Sequence, residues 1–550
     1  MLKKRITAIL LLLIMCVGMS VSSFALVPHK GYTYDNMGNA VGAPVAYTFE
    51  TEINTVDYGV GGLNSAEDVF VDSDDNIYLL DSKNARVVIF DSDYDLVRII
   101  GLSADASVPG GQITYKGENL TMTTPTGLFV YEYYGKKLLY ITDTGNARVI
   151  RVDVLDELEK KDSVEAACGA IEADKVYNKP TISIIKENTA YKPSKIVVDR
   201  AERMHLICQT INRGVVKLNA DGTFNSFYGA PEVSYTLYEK FWRLISSNEQ
   251  LDKMEKFVAT EYSNISMDPD GFVWVVTKTL SDVNVKDSML TDYDDTDGRQ
   301  AYAPVKKLNS YGTDITSRTG TFPPVGDISS LAISYEKSGS GVNVMAQLQK
   351  LIGISAFEDI SVDEYGCYTI VDSQRNKIFM YDSDGNLLFQ FGNDGNQFGT
   401  FKDPVAVATF GNDKIVVLDA YDASLMIFTP TDYGSSILSA VRAYQTGEYE
   451  LSEEMWGEVL KMNSNNMMAY SGVGKSLYRN GNYKEAMEYF TISKNVEYYS
   501  KALEEYLNEL IGSKFTFVFL GIIIILLGVW IFKLIKQFRQ FLRNGVKKVM

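Results

Sequence analysis

Asp68, Lys195, Asn264 and Asp359 recur at one position of a repeated pattern, with Glu67 and Glu358 beside two of them. Brought together, two carboxylates and an amide supply the oxygen ligands a calcium ion takes, and such an ion can polarise a carbonyl for hydrolysis. Lys195 opposes that use, because a fixed ammonium pairs with the carboxylates instead. Asp91, Asp93 and Asp95 alternate in "FDSDYDLVRIIG" like the opening of a calcium loop. Such a loop needs Gly at its sixth position and Glu at its twelfth, and Leu96 and Leu102 stand there, so a turn is expected. Beyond the first 25 residues the only histidines are His29 and His205, which are not spaced as a metal pair. G-x-S-x-G, H-E-x-x-H and Walker A patterns are absent, which removes the common hydrolase and nucleotidase signatures.

The elements that must position those residues are short strands. Six segments repeat runs of β-branched and aromatic residues separated by Gly, Asp and Asn clusters, as consecutive antiparallel strands do. The register is regular: Asp72 to Asp81, Asp199 to Cys208, Asp268 to Thr277, Asp363 to Asp372 and Phe410 to Asp419 are each nine apart. Six repeats of four strands predict an all-β six-bladed propeller over residues 26–430. The last repeat lacks a fourth strand, and "VAYTFETEINTVDYG" before the first repeat is suited to supply it. The position four before Asp72 and its equivalents reads Asp68, Gly127, Lys195, Asn264, Asp359, Ala406 around the ring. It opens each inner strand and should line the mouth of the central channel.

"DSKNAR" (81–86) and "DTGNAR" (143–148), each before an apolar strand, resemble the NHL repeat, and the resemblance extends over all six blades. "DAYDAS" in blade six lacks the Asn and Arg. Together with "YTYDNMGNAVGAPVAY" and "FWRLISSNEQLDKMEKFVATEYSNISMDPDGFVW", these motifs resemble membrane-anchored NHL proteins of Gram-positive bacteria. The resemblance implies a neighbourhood of sugar ABC transporters and a role accessory to one. A second likeness, to lactonase propellers similar to gluconolactonase, implies as the alternative a metal-dependent lactonase-like hydrolase with calcium held by Asp68, Asn264 and Asp359.

From Ser435 the hydrophobic period changes from two to about 3.6. Gly447 and Gly481, Tyr449 and Tyr483, and Trp456 and Phe490 are each 34 apart, the tetratricopeptide period. "LYRNGNYKEAMEYF" resembles that consensus, with Ser452 replacing the consensus Ala in the first copy. Helical repeats are expected over 435–512, acting as a stalk or as a surface for a partner protein, with 498–512 as the cap.

Two segments point to a membrane. Residues 1–25 combine Lys3, Lys4 and Arg5, an apolar run, and small residues at Ser23 and Ala25, as a signal peptide does. Phe515–Phe532 is long enough to span, and 533–550 is a basic tail without acidic residues, expected to stay cytoplasmic. The chain carries net charge −17; without the leader (+3) and tail (+6) the remainder is −26, which excludes nucleic acid as a partner. The expected protein is a single-pass membrane protein with its ectodomain outside, binding a protein partner or a cell-surface glycan. Two further segments are candidates for less. The acidic insertion 281–302 does not have calcium-loop spacing, and the aromatic stretch 234–257 is expected to dock on the propeller rather than bind ligand.

Overall fold

A computed structural model describes residues 29–35, 40–182, 189–211, 213–230, 262–280, 285, 303–318, 323–327 and 354–546. The expected signal peptide (1–25), the aromatic stretch 234–257 and, save Val285, the acidic insertion up to Tyr302 lie outside them.

The repeats fold as six radial sheets. Blade 1 is Ala66–Val71, Ile77–Asp81, Arg86–Phe90 and Leu96–Ile100, paired antiparallel in chain order. Blades 3 and 5 repeat this arrangement over Pro193–Val198 to Phe224–Tyr228 and over Phe357–Val362 to Leu387–Phe391. In each blade the second strand is buried along its whole length, so its apolar residues face neighbouring blades on both sides: Ile77–Asp81 and Tyr368–Asp372 have no exposed position. One apolar cluster joins blades 1 and 2 through Leu80, Val87, Leu128 and Ile150. Others join blade 6 to blade 1, 2 to 3, 3 to 4 and 4 to 5. Between blades 5 and 6, Phe391 and Phe401 pack on Phe428.

The ring closes as expected. Ser424–Pro430, the third strand of blade 6, pairs antiparallel with Tyr47–Ile53 from the start of the chain. A preceding hairpin, Gly31–Tyr34 with Ala40–Ala43, adds a second attachment that the repeat pattern does not announce. Its Tyr32 and Tyr34 hydroxyls donate to Asp327 Oδ1 at 2.5 and 2.6 Å, and Lys377 Nζ donates to Oδ2 at 2.9 Å.

Two blades depart from the simple repeat. The fourth strand of blade 2, Ile171–Asn178, follows a helical turn at Val164–Ala167, and a hairpin, Ile113–Tyr115 with Glu118–Leu120, pairs parallel to it. In blade 4 the segment after Val305–Leu308 forms one isolated bridge, Leu308 with Asp314, rather than a regular strand.

The turns follow their side chains. Asp91 Oδ1 accepts from the N–H groups of Asp93 and Asp95 at 3.0 and 2.9 Å, and Asp382 does the same for Asp384 and Asn386. The triplet of aspartates is thus an Asx turn between the third and fourth strands. Cys168, Cys208 and Cys367 are free thiols.

The second compact unit begins at Ser439. Its helices are α1 Asp432–Thr446, which carries the division between the units, α2 Tyr449–Met462, α3 Met467–Arg479, α4 Tyr483–Ser493 and α5 Val496–Val546. Gly447 and Gly481 take φ +86° and +80° between helices, where a side chain would be strained. Residues 34 apart occupy matching surroundings: Tyr444 meets Tyr449 at 5.5 Å and Tyr478 meets Tyr483 at 5.6 Å. Trp456 and Phe490 are buried against Gly472 and Gly474. Ser452, in place of Ala, is satisfied by donating to Ala440 O and accepting from Ser476 Oγ.

Residues 498–512 and the apolar segment after them form one helix. The 51 residues of α5 run without interruption through Phe515–Phe532 and beyond. No proline breaks the stretch, and Leu, Ile, Phe and Lys all propagate a helix. Its segment Lys514–Arg543 is long and apolar enough to cross a membrane and none of its apolar window is buried in the protein.

Candidate functional site

The inner strands of all six blades line one cavity of about 390 Å³ along the propeller axis. Asp68, Lys195, Asn264 and Asp359 all line it, so the structure brings together the four residues singled out by register.

Local backbone explains how they get there. In blades 1, 3, 5 and 6 the first strand carries a β-bulge just before the ring position, at Glu67, Ser194, Glu358 and Val405. A bulge bends the strand and re-aims the following side chain. Gly127 in blade 2 pairs regularly with Thr142, and its reason for being Gly is space. A Cβ there would stand 2.4 Å from Ser194 O and 2.9 Å from Lys195 Cα.

The four side chains knit adjacent blades together and tie blade 3 to blade 1. Lys195 Nζ lies 3.0 Å from Asp68 Oδ1 and donates to Glu67 O at 3.0 Å. The other Asp68 oxygen accepts from Leu128 N in blade 2 at 2.9 Å. Asn264 Nδ2 donates to Asp359 Oδ1 at 2.5 Å, which also accepts from Ile360 N, and Asp359 Oδ2 accepts from Val407 N in blade 6 at 2.7 Å. Both oxygens of both carboxylates are therefore engaged by protein donors. A calcium ion at these oxygens would also meet the fixed positive charge of Lys195.

Charge in this site is unevenly balanced. Asp68, Asn264 and Asp359 are 7%, 4% and 5% exposed, and two carboxylates share one ammonium. Burial pushes both carboxyl groups upward against the pull of Lys195, and Asp359, with Asp68 nearby, is pushed up to about 7. Burial would lower the Lys195 ammonium, but Asp68 and Asp359 outweigh it and hold its pKa above the ordinary value. A charged amine held this way is a hydrogen-bond donor, not a nucleophile. Around the rim, burial also raises Glu67 and Asp403, while Glu358 pairs with Lys278.

The far end of the inner strands carries a group that the repeat register did not single out. Asp72, Asp74 and Glu132 place carboxylate oxygens close enough to ligate one cation. Lys137 Nζ already stands among them, at 2.7, 2.7 and 3.0 Å. Asp72 accepts further from Asn76 and Tyr78. His205, one of two histidines in question, is buried between Tyr228 OH at 2.6 Å and Asp199 at 3.3 Å, where burial lowers its pKa. It is a packing residue of blade 3.

Fold and site together define a six-bladed β-propeller with a polar axial cavity, followed by a helical region that ends in one apolar helix able to cross a membrane. No family model and no curated protein matches the chain. Among solved structures it is similar to virginiamycin B lyase from Staphylococcus aureus, with 11% identity and TM-score 0.36 over 69% of this chain and 98% of the other. A protein of unknown function from Bacteroides thetaiotaomicron gives 10% identity and TM-score 0.39 over 72% and 80%. The PQQ-bound aldose sugar dehydrogenase of Streptomyces coelicolor gives 12% and 0.33 over 71% and 100%. At such identities and TM-scores these likenesses assign no activity to this chain.

Proposed function

We propose that the protein is a membrane-anchored binding protein whose NHL-type propeller recognises a protein or glycan partner outside the cell, in a role accessory to a sugar ABC transporter. The tetratricopeptide-like helices add a second surface or a stalk, and the basic tail stays cytoplasmic. The observation that carries this reading is the mutual satisfaction of Asp68, Lys195, Asn264 and Asp359 within the axial cavity. Groups held in place this way give a polar ligand a fixed cavity wall, and the Lys195 ammonium, kept charged by Asp68 and Asp359, opposes a bound cation.

The convergence of Asp68, Asn264 and Asp359 is what favours the second reading, a calcium-dependent lactonase-like hydrolase. Calorimetry of the ectodomain with calcium separates the two. The binding reading expects no binding heat at micromolar calcium, and heat abolished by Asp68→Ala and Asp359→Ala would replace it with the hydrolase. Crosslinking in native membranes tests the binding reading directly: a discrete partner should be recovered, and recovery should fall with Lys195→Met. Recovery of neither a protein nor a polysaccharide would remove it.

A further inference from the structure

The apolar surface of α5 does not stop where the uncharged stretch stops. Phe515–Phe532 is apolar all round, and its 18 residues span about 27 Å at 1.5 Å per residue, close to a hydrocarbon core of about 30 Å. Beyond it the helix becomes two-faced. At about 100° per residue, Lys533, Lys536, Arg539 and Arg543 fall within one arc of about 120°. Leu534, Ile535, Phe538, Phe541 and Leu542 fall within an opposite arc of about 120° and are all exposed. No acidic residue follows Glu509.

A straight helix standing upright would carry this apolar stripe about 15 Å past the hydrocarbon, into water. The structure offers no break at which the helix could turn aside: it is continuous from Val496 to Val546, with no proline. Tilt resolves the conflict. It draws Phe538 and Phe541 back into the acyl chains on one side while the four basic side chains reach phosphates on the other.

We propose that Lys533–Arg543 forms a binding surface for anionic phospholipid headgroups and fixes the direction in which α5 leans in the bilayer. This rests on α5 being a membrane span. The choice of lipid over a protein partner comes from the page: the apolar stripe is continuous with the span, and the opposite stripe is of one charge, complementary to an anionic leaflet.

The test uses the full chain reconstituted in phosphatidylcholine bilayers with and without phosphatidylglycerol, with quenching by lipids brominated near the headgroup. Trp530 reports the span itself, since the other tryptophans, Trp242, Trp274 and Trp456, precede it. W530F/F538W and W530F/Q540W then report the two faces. Trp530 should be quenched in both bilayers, and Phe538→Trp should be quenched more than Gln540→Trp, with the difference growing with phosphatidylglycerol. In K533Q/K536Q/R539Q/R543Q the phosphatidylglycerol effect should fall roughly fivefold for each charge removed. Quenching of Trp530 without a difference between the two faces overturns the surface and leaves the span. A difference indifferent to phosphatidylglycerol and to the four charges overturns the headgroup contact. Shielding of Phe538→Trp that requires added membrane protein overturns the lipid in favour of a partner helix. An unquenched Trp530 removes the span on which the proposal rests.

Discussion

Lys195 holds the only ammonium within reach of Asp68 among the described contacts, and the pair is almost wholly withdrawn from water. Removing it by Lys195→Met leaves a buried carboxylate without its counter-charge, which costs about 3–5 kcal/mol; chemical denaturation of the propeller should show a loss of that size. Asp359 has the opposite pH signature from an ordinary exposed carboxylate. Its folded-state pKa is raised from 3.8 to about 7, chiefly by burial. Through that window the folded protein keeps a proton that the unfolded chain has released, so stability falls as pH rises through it. Asp359→Asn should flatten the slope, while lowering stability at every pH because one amide N–H would face the Val407 N–H. Gly127→Ala should cost about 1–3 kcal/mol by overpacking against Ser194, read as a lower Tm. Which residues meet at the axis was legible from register alone, because a nine-residue spacing carries the same position around the ring. Which atoms bond was not. The bulges at Glu67, Ser194 and Glu358 have no marker in a single sequence, and the Asn264–Asp359 contact depends on how two blades lean together.

Blades 1 and 2 are fastened by a motif that reads as a signature and acts as a staple. Asp81 accepts from Asn84 Nδ2, Arg86 Nε and Asn64 N, and Arg86 reaches on to Val60 O and Pro109 O. Blade 2 repeats this with Asp143, Asn146, Arg148 and Thr123 N. Blade 5 spends the same residue types differently: Lys377 goes to Asp327 and Asn376 to Asp394. In blade 1 both partners are fully buried, so Arg86→Met should destabilise the propeller by about 3–5 kcal/mol. Arg148 is partly exposed, so Arg148→Met should cost less; comparing the two melting curves checks the ordering. In the helical unit a Cβ on Gly474 would lie 2.6 Å from the Phe490 ring, so Gly474→Leu should lose helical signal at lower temperature than wild type. The helices and their 34-residue offset were legible, since period and turn glycines are local. That 498–512 leads into the apolar segment was legible too, because nothing between them breaks a helix.

At the scale of the molecule, a propeller and a helical unit share one chain with an apolar helix at its end. Removing residues from Lys514 onward should release the protein from the membrane fraction, while the intact chain should resist extraction at alkaline pH; partition of the two by sedimentation checks it. Six blades, their order and the donor of the last strand were all readable, because sheet closure leaves one strand missing and one spare. The hairpin Gly31–Tyr34 with Ala40–Ala43 was not, since its docking depends on Asp327, almost 300 residues away.

That early segment also sets a clock. Thr431 Oγ1 bonds to Ala46 O across 385 residues, beside the strand that completes blade 6. Synthesis proceeds at about 5–20 residues per second, so the first strand waits roughly twenty seconds to a minute or more for its mate to exist. Five blades can assemble in that interval, but the circle cannot. Until it closes, two unpaired strand edges face solvent, which is the state most open to pairing with a neighbouring chain. The yield of this protein on refolding should therefore be decided at ring closure, and dilution rather than time should be what improves it.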